Sequence, residues 1–303
     1  MGKCHTSQID FSVDALEKII SDPGWILNNE EKFWSDYRAQ VLTRKWASHV
    51  NFEIPYDEWR DKVQAWKDLS DKDRQDHPLM KVSHRILASR EEFMEKALPH
   101  NCGFLPDRVN LSVAVQFTAF IPPFAFAMDD LVINVASKHW NGNPEHVLNL
   151  LVHELFHVGY SHYRTFQNEK GLVEETLYRI LDNIVNEGIC TYVGYRALPI
   201  FPVENERDYL LLDDPAEVSR LFGETNAVLS RYRMLPEEEL SKLSWEKGVQ
   251  GRAYYVTGAQ ICKVIDEEAG RQALIDVYST GPLSIIKLYN SLATQSLKIS
   301  LPD

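Results

Sequence analysis

His153-Glu154-Leu155-Phe156-His157 lies inside a mostly apolar run, residues 147–160. Leu148, Leu150, Leu151 and Val152 precede it, and Val158 follows. A helix that is apolar nearly all round belongs in an interior. Two imidazoles and a carboxylate are costly to bury there without partners, and a metal ion would resolve that cost for all three. Histidines four residues apart stack on one helix face, with Cβ atoms about 5–6 Å apart, so both rings can reach a single ion. Glu154 is turned about 100° away on the wheel and flanks that ion. Two ligands with a carboxylate beside an open coordination position is the layout of a hydrolytic zinc site. The plainer alternative is two core histidines bonded to backbone, with Glu154 reaching solvent.

The whole chain sets the frame for this helix. Its 303 residues, 44% hydrophobic and 25% charged, are those of a folded globular protein long enough for two packed lobes. The expected division is an N-terminal helical region, 1–104, and a catalytic region, 105–303. In the latter, strands and the motif helix run to about residue 165 with a helical lobe after them, all packed as one unit. A formal net charge of −12 argues against nucleic acid or an anionic membrane surface as partner. The apolar stretch 109–136 is broken by Pro122-Pro123 and Asp129-Asp130, so no membrane span is expected. Cys4, Cys102, Cys190 and Cys262 are far apart, with no C-x-x-C pair, which indicates neither a disulfide scaffold nor a structural zinc site. Residues 1–20 lack the apolar core of an export signal. The expected location is cytoplasmic, with export and a removed signal as the alternative.

Local patterning places the elements. The first hundred residues read as helices, with a long amphipathic run at 30–49, Asp57 capping 58–69 and Ser83 capping 84–98. Residues 109–120 and 131–136 read as strands. Asn143 is a candidate N-cap with Pro144 at the first helical position. Helices are expected over 174–197, over 215–234 behind Asp214, over 252–269 and over 282–292. The fold class is therefore α+β and mostly helical, a small sheet packed on the H-E-x-x-H helix. The strand beside that helix would be free to pair with an extended peptide.

A catalytic zinc takes three protein ligands and a water. Glu187 is the candidate third ligand. It continues the 180, 184, 187 spacing on the apolar face of its helix, beside Ile180 and Ile184, and Gly188 next to it would allow close approach of the motif helix. The alternative is an ordinary salt bridge at a helix edge. His162 is the main rival, although it falls one residue short of the spacing in which a third histidine follows H-E-x-x-H. Glu174 and Glu175 are weaker, because they open their helix, where acidic residues suit the dipole anyway.

The segment H-E-L-F-H, followed about thirty residues later by N-E-G-I-C-T-Y, resembles gluzincin-type zinc peptidases. With the preceding strand and Tyr254-Tyr255-Val256-Thr257-Gly258, residues 105–295 are similar to an uncharacterised bacterial group of zinc-dependent peptidases. The resemblance implies a zincin-like fold and one Zn2+ per chain, held by His153, His157 and Glu187. It further implies Glu154 as general base and a peptide or protein as substrate. Such families place a tyrosine or histidine downstream to stabilise the oxyanion; Tyr255, Tyr254 and Arg252 are candidates, with Tyr255 preferred. Many gluzincins carry an aspartate one turn after the glutamate to orient a histidine. Here that position is Thr191, which leaves Asn183 or Asp182 for the task. Two other readings fit the same residues: a non-catalytic peptide- or partner-binding protein on a peptidase fold, and a zinc hydrolase of a non-peptide amide or ester.

Overall fold

The computed structural model describes residues 8–301 apart from 108, 110, 129, 141, 165–173 and 279, and leaves the side chains of 162–164 undescribed. Four strands form one mixed sheet in the order β1-β2-β4-β3. β1 (Gln8–Ser12) runs parallel to β2 (Ser112–Thr118), and β2 runs parallel to β4 (Leu131–Asn134). β3 (Ala125–Ala127) is antiparallel to β4, with Phe126 opposite Val132. Every residue of β4 is buried, as expected for a strand covered on both faces. The two expected strands are present, each shorter than its sequence pattern. β1 and β3 are additional. β3 has three residues, too few for an alternation to register, and β1 pairs with residues a hundred positions away.

The remainder is mostly helical, and the differences from expectation have local causes. Pro78–Ala88 starts earlier than expected, because His77 Nδ1 accepts from Leu79 N at 3.1 Å and caps it. Ser83 lies inside that helix and donates its hydroxyl back to Leu79 O at 2.7 Å. The run over 30–49 divides into Glu30–Asp36 and Arg38–His49 where Tyr37 takes an extended conformation. Tyr56–Asp68 begins after Pro55, with Asp57 inside its first turn. Asp214 does cap Pro215–Leu229, accepting from Ala216 N and Glu217 N. Cys102 is disulfide-bonded, although its spacing gave no sign of a bridge, and Cys190 and Cys262 are free. One buried apolar cluster extends from Ile9 to Ile299, drawing on both the N-terminal helices and the C-terminal half. No helix among the described residues is long and apolar enough to cross a membrane.

Three helices frame the centre of the molecule. The motif helix, Pro144–Arg164, starts as its sequence implies: Asn143 Oδ1 accepts from Glu145 N at 3.0 Å and Pro144 occupies the first position. It rests on β3 and β4 and packs against Glu175–Arg196, which in turn packs along Ala253–Glu268. Gly188 does allow a close helix approach, but toward Ala253–Glu268 and not toward the motif helix. A Cβ at Gly188 would overlap the backbone of Gly258, and a Cβ at Gly258 would overlap the carbonyl of Ile184. The motif helix meets its neighbour at Gly194 instead, where an added Cβ would lie 3.6 Å from His153 Cβ. Asn149 locks the pair. Its Nδ2 donates to Gly194 O at 3.1 Å, and its Oδ1 accepts from the Tyr209 hydroxyl at 2.6 Å.

Candidate metal centre

His153 and His157 project from one face of the motif helix, and Glu187 reaches them from Glu175–Arg196. The two Nε2 atoms are 3.1 Å apart; Glu187 Oε2 is 3.5 Å from His157 Nε2 and 3.9 Å from His153 Nε2. Zinc bonded to tetrahedral ligands at about 2.0–2.1 Å holds their donor atoms about 3.4 Å apart. Two imidazole nitrogens and one carboxylate oxygen already stand close to that spacing, so the donor set fits a zinc ion. His157 Nδ1 faces Asn186 Oδ1 at 3.2 Å, a bond that would fix the tautomer leaving Nε2 free for a metal.

The charges of the three groups are mutually adjusted. Burial, with His157 beside it, pulls the His153 imidazole down to about 3, which keeps it neutral. His157 is pushed the other way: burial opposes its charge, but the adjacent Cys190 and Glu187 outweigh burial and raise it. Glu187 is disfavoured as an anion by burial, yet its interactions with His157 bring it down to about 2. Glu154 is carried up to about 7, chiefly by burial. Burial raises the Cys190 thiol to about 11.

His153, Glu154, His157 and Glu187 open onto a cleft of about 1030 Å³. One wall is β3, the outer strand of the sheet, with Phe124 and Met128 flanking it. Asp208, Arg252 and Tyr255 line the cleft as well. Arg252, in a left-handed conformation at φ 68°, makes a bidentate pair with the buried Asp208 carboxylate. Its guanidinium sits 3.2 Å over the Tyr255 ring. Burial and the Glu187 and Asp208 charges raise the Tyr255 hydroxyl far above its ordinary value, outweighing the Arg252 charge that lowers it, so it remains a proton donor.

The other expected residues separate cleanly. Tyr254 is fully buried away from the cleft, its hydroxyl 2.8 Å from Ser244 Oγ. Glu174 and Glu175 are exposed, Glu174 pairing with Arg233 at 3.3 Å. The side chain of His162 lies outside the described residues. Asp130 is a sheet anchor, accepting from Ala114 N and pairing with Arg38. Asn183 is exposed, and the residue that faces a histidine nitrogen is Asn186, whose Oδ1 lies against His157 Nδ1. Its signal was available in principle, since it precedes Glu187 directly on the same helix. Thr191 lines the cleft with its hydroxyl buried. A second group of possible metal-binding residues, His139, His146 and Glu206, lines the same cleft and was not foreseen, because no sequence spacing links the three.

A family model described as "Putative zinc dependent peptidase (DUF5700)" matches residues 39–297. The chain belongs to this family. The match begins within the N-terminal helices, well before residue 105 where the resemblance was first visible. The zinc-dependent peptidase description agrees with a cleft lined by His153, His157, Glu187 and Glu154. No curated protein and no solved structure matches the chain.

Proposed function

We propose that this protein is a gluzincin-type zinc metallopeptidase with a zincin-like catalytic region. The observation that carries the proposal is the convergence of His153 Nε2, His157 Nε2 and Glu187 Oε2 within 3.9 Å of one another at the base of an open cleft. These three residues would hold one catalytic zinc. Bound there, zinc supplies Lewis acidity, polarising a carbonyl and acidifying a water.

The chain's own residues supply the rest. Glu154 stands next to the two histidines with its carboxyl near 7, where a general base accepts and returns a proton most effectively. It takes the proton of the attacking water and passes it to the leaving nitrogen. Tyr255, held protonated and braced by Arg252, donates to the oxyanion that forms on the substrate carbonyl. β3 is the outer strand among the described residues, an edge on which an extended peptide adds as a further antiparallel strand, and that edge favours a peptide over a small amide or ester. An intact Glu154 in the cleft argues against a purely binding role. The Cys102 disulfide favours an oxidising compartment over the cytoplasm.

The test is Glu154→Gln, assayed on a peptide library alongside metal analysis. It should keep its zinc and lose about 10²–10⁴-fold in hydrolysis. Tyr255→Phe should lower kcat by about 10²-fold with little change in KM. A Glu154→Gln protein as active as the parent would sink the mechanism.

A further inference from the structure

His139, His146 and Glu206 arrive from three separate elements: the Lys138–Trp140 turn, the first turns of the motif helix, and the residue capping Arg207–Leu212. His146 Nε2 contacts Glu206 Oε2, and His139 Nε2 lies 3.8 Å from the same oxygen. The three ligand atoms all lie within 4.8 Å of one another. A plain histidine–glutamate ion pair needs one imidazole. Here a second is aimed at the same oxygen from beyond hydrogen-bonding distance.

The rings are also held in place. His139 stacks on Phe124 with centroids 4.6 Å apart and 16° between planes. Trp140 meets His139 and His146 edge-on at 5.0 and 5.6 Å. Trp140 is itself fixed, fully buried with its indole N–H donating to Asn134 O at 2.7 Å. Donor atoms whose orientation is set by packing beneath them are what a metal site needs before the ion arrives.

We infer that His139, His146 and Glu206 form a second metal site in the wall of the same cleft, taking zinc or another borderline divalent transition cation. Two imidazole nitrogens and one carboxylate oxygen suit such an ion and leave a coordination position toward the cleft. His146 precedes His153 by seven residues, about 10.5 Å along the helix axis. Two ions that share one reacting group stand about 3.5–4 Å apart, so this site does not form a paired centre with the first. Its place in the fold gives it a different task. An ion here ties the 138–140 turn and the segment carrying Asp208 to the motif helix, bracing the wall on which Arg252 and Tyr255 depend. The inference needs only these three side chains and does not rest on the peptidase reading.

The test is equilibrium dialysis of the full chain against buffered zinc, with bound metal counted by mass spectrometry. The parent should hold two equivalents. His139→Ala and Glu206→Gln should each hold one, and His153→Ala should also hold one. His139 is 37% exposed on its side chain, so its removal spares the core, and the equivalent retained at His153 and His157 reports that each variant is folded. A parent chain holding a single equivalent, lost with His153→Ala, would overturn the second site while leaving the first intact. Either His139→Ala or Glu206→Gln still holding two equivalents would overturn it as well.

Discussion

Gly188 and Gly258 lie back to back where Glu175–Arg196 crosses Ala253–Glu268, so close that a Cβ on either would overlap the other's backbone or that of its neighbour Ile184. One residue before Gly188 is Glu187, and one turn before Gly258 is Tyr255, with Arg252 at the N-cap of the same helix. The crossing therefore sets the depth at which the carboxylate reaches the histidines and the position of Tyr255 and Arg252 in the cleft.

Gly188→Ala must push two helix backbones apart, which no side-chain rotation can relieve. The expected cost is about 2–3 kcal/mol, the upper part of the range for overpacking, read as a shift of the denaturant midpoint, together with weaker zinc retention. Gly223→Ala is the contrast. It sits in a helix with nothing within 4 Å of its added Cβ, and should stabilise by about 0.5–1 kcal/mol. Equal effects from the two substitutions would contradict the packing account.

Asn186→Ala removes the partner of His157 Nδ1 while leaving His153, His157 and Glu187 in place. The expected outcome is a zinc affinity about 10–100-fold weaker, the usual cost of losing such a support, with the fold retained. Competition against a chromophoric chelator measures it. Asn183→Ala, on the exposed side of the same helix, should leave affinity unchanged.

The motif helix was legible because its signals are contiguous: Asn143 and Pro144 start it, the apolar run buries it, and the two histidines share a face. Glu187 was legible by its periodicity with Ile180 and Ile184. The partner chosen for Gly188 was not, because spacing reveals that a close approach occurs and not which helix makes it. β1 and β3 escaped notice for being short and for pairing across long separations. Asn149 and the His139–His146–Glu206 group depend on where Arg207–Leu212 folds back onto the cleft, and no local pattern carries that. Propensity reads one element at a time; these features exist only between elements.

Asp266 ties three helices together. Its carboxylate accepts from the Tyr192 hydroxyl at 2.7 Å and from Arg271 at 2.6 and 2.8 Å. Burial opposes its charge, but the Arg271 and Tyr192 hydrogen bonds prevail and hold it below the ordinary carboxylate value. A carboxyl lower in the folded than in the unfolded chain stabilises the fold above its unfolded pKa and loses that contribution as pH falls through the folded one. Asp266→Asn should therefore destabilise by about 1–2 kcal/mol at pH 7. The gap to the parent should narrow as pH drops below about 3.9. Urea midpoints for both proteins across that range check the sign; a gap that widened on acidification would contradict it.

The central claim is that His153, His157 and Glu187 together hold a catalytic zinc with a position left open to the cleft. X-ray data collected at the zinc edge from crystals of the full chain test it most directly. The account predicts an anomalous peak about 2.0–2.2 Å from both Nε2 atoms and from a Glu187 carboxylate oxygen, with no fourth protein ligand. A peak closed by a fourth side chain, or no peak between these three residues in zinc-equilibrated crystals, would contradict it.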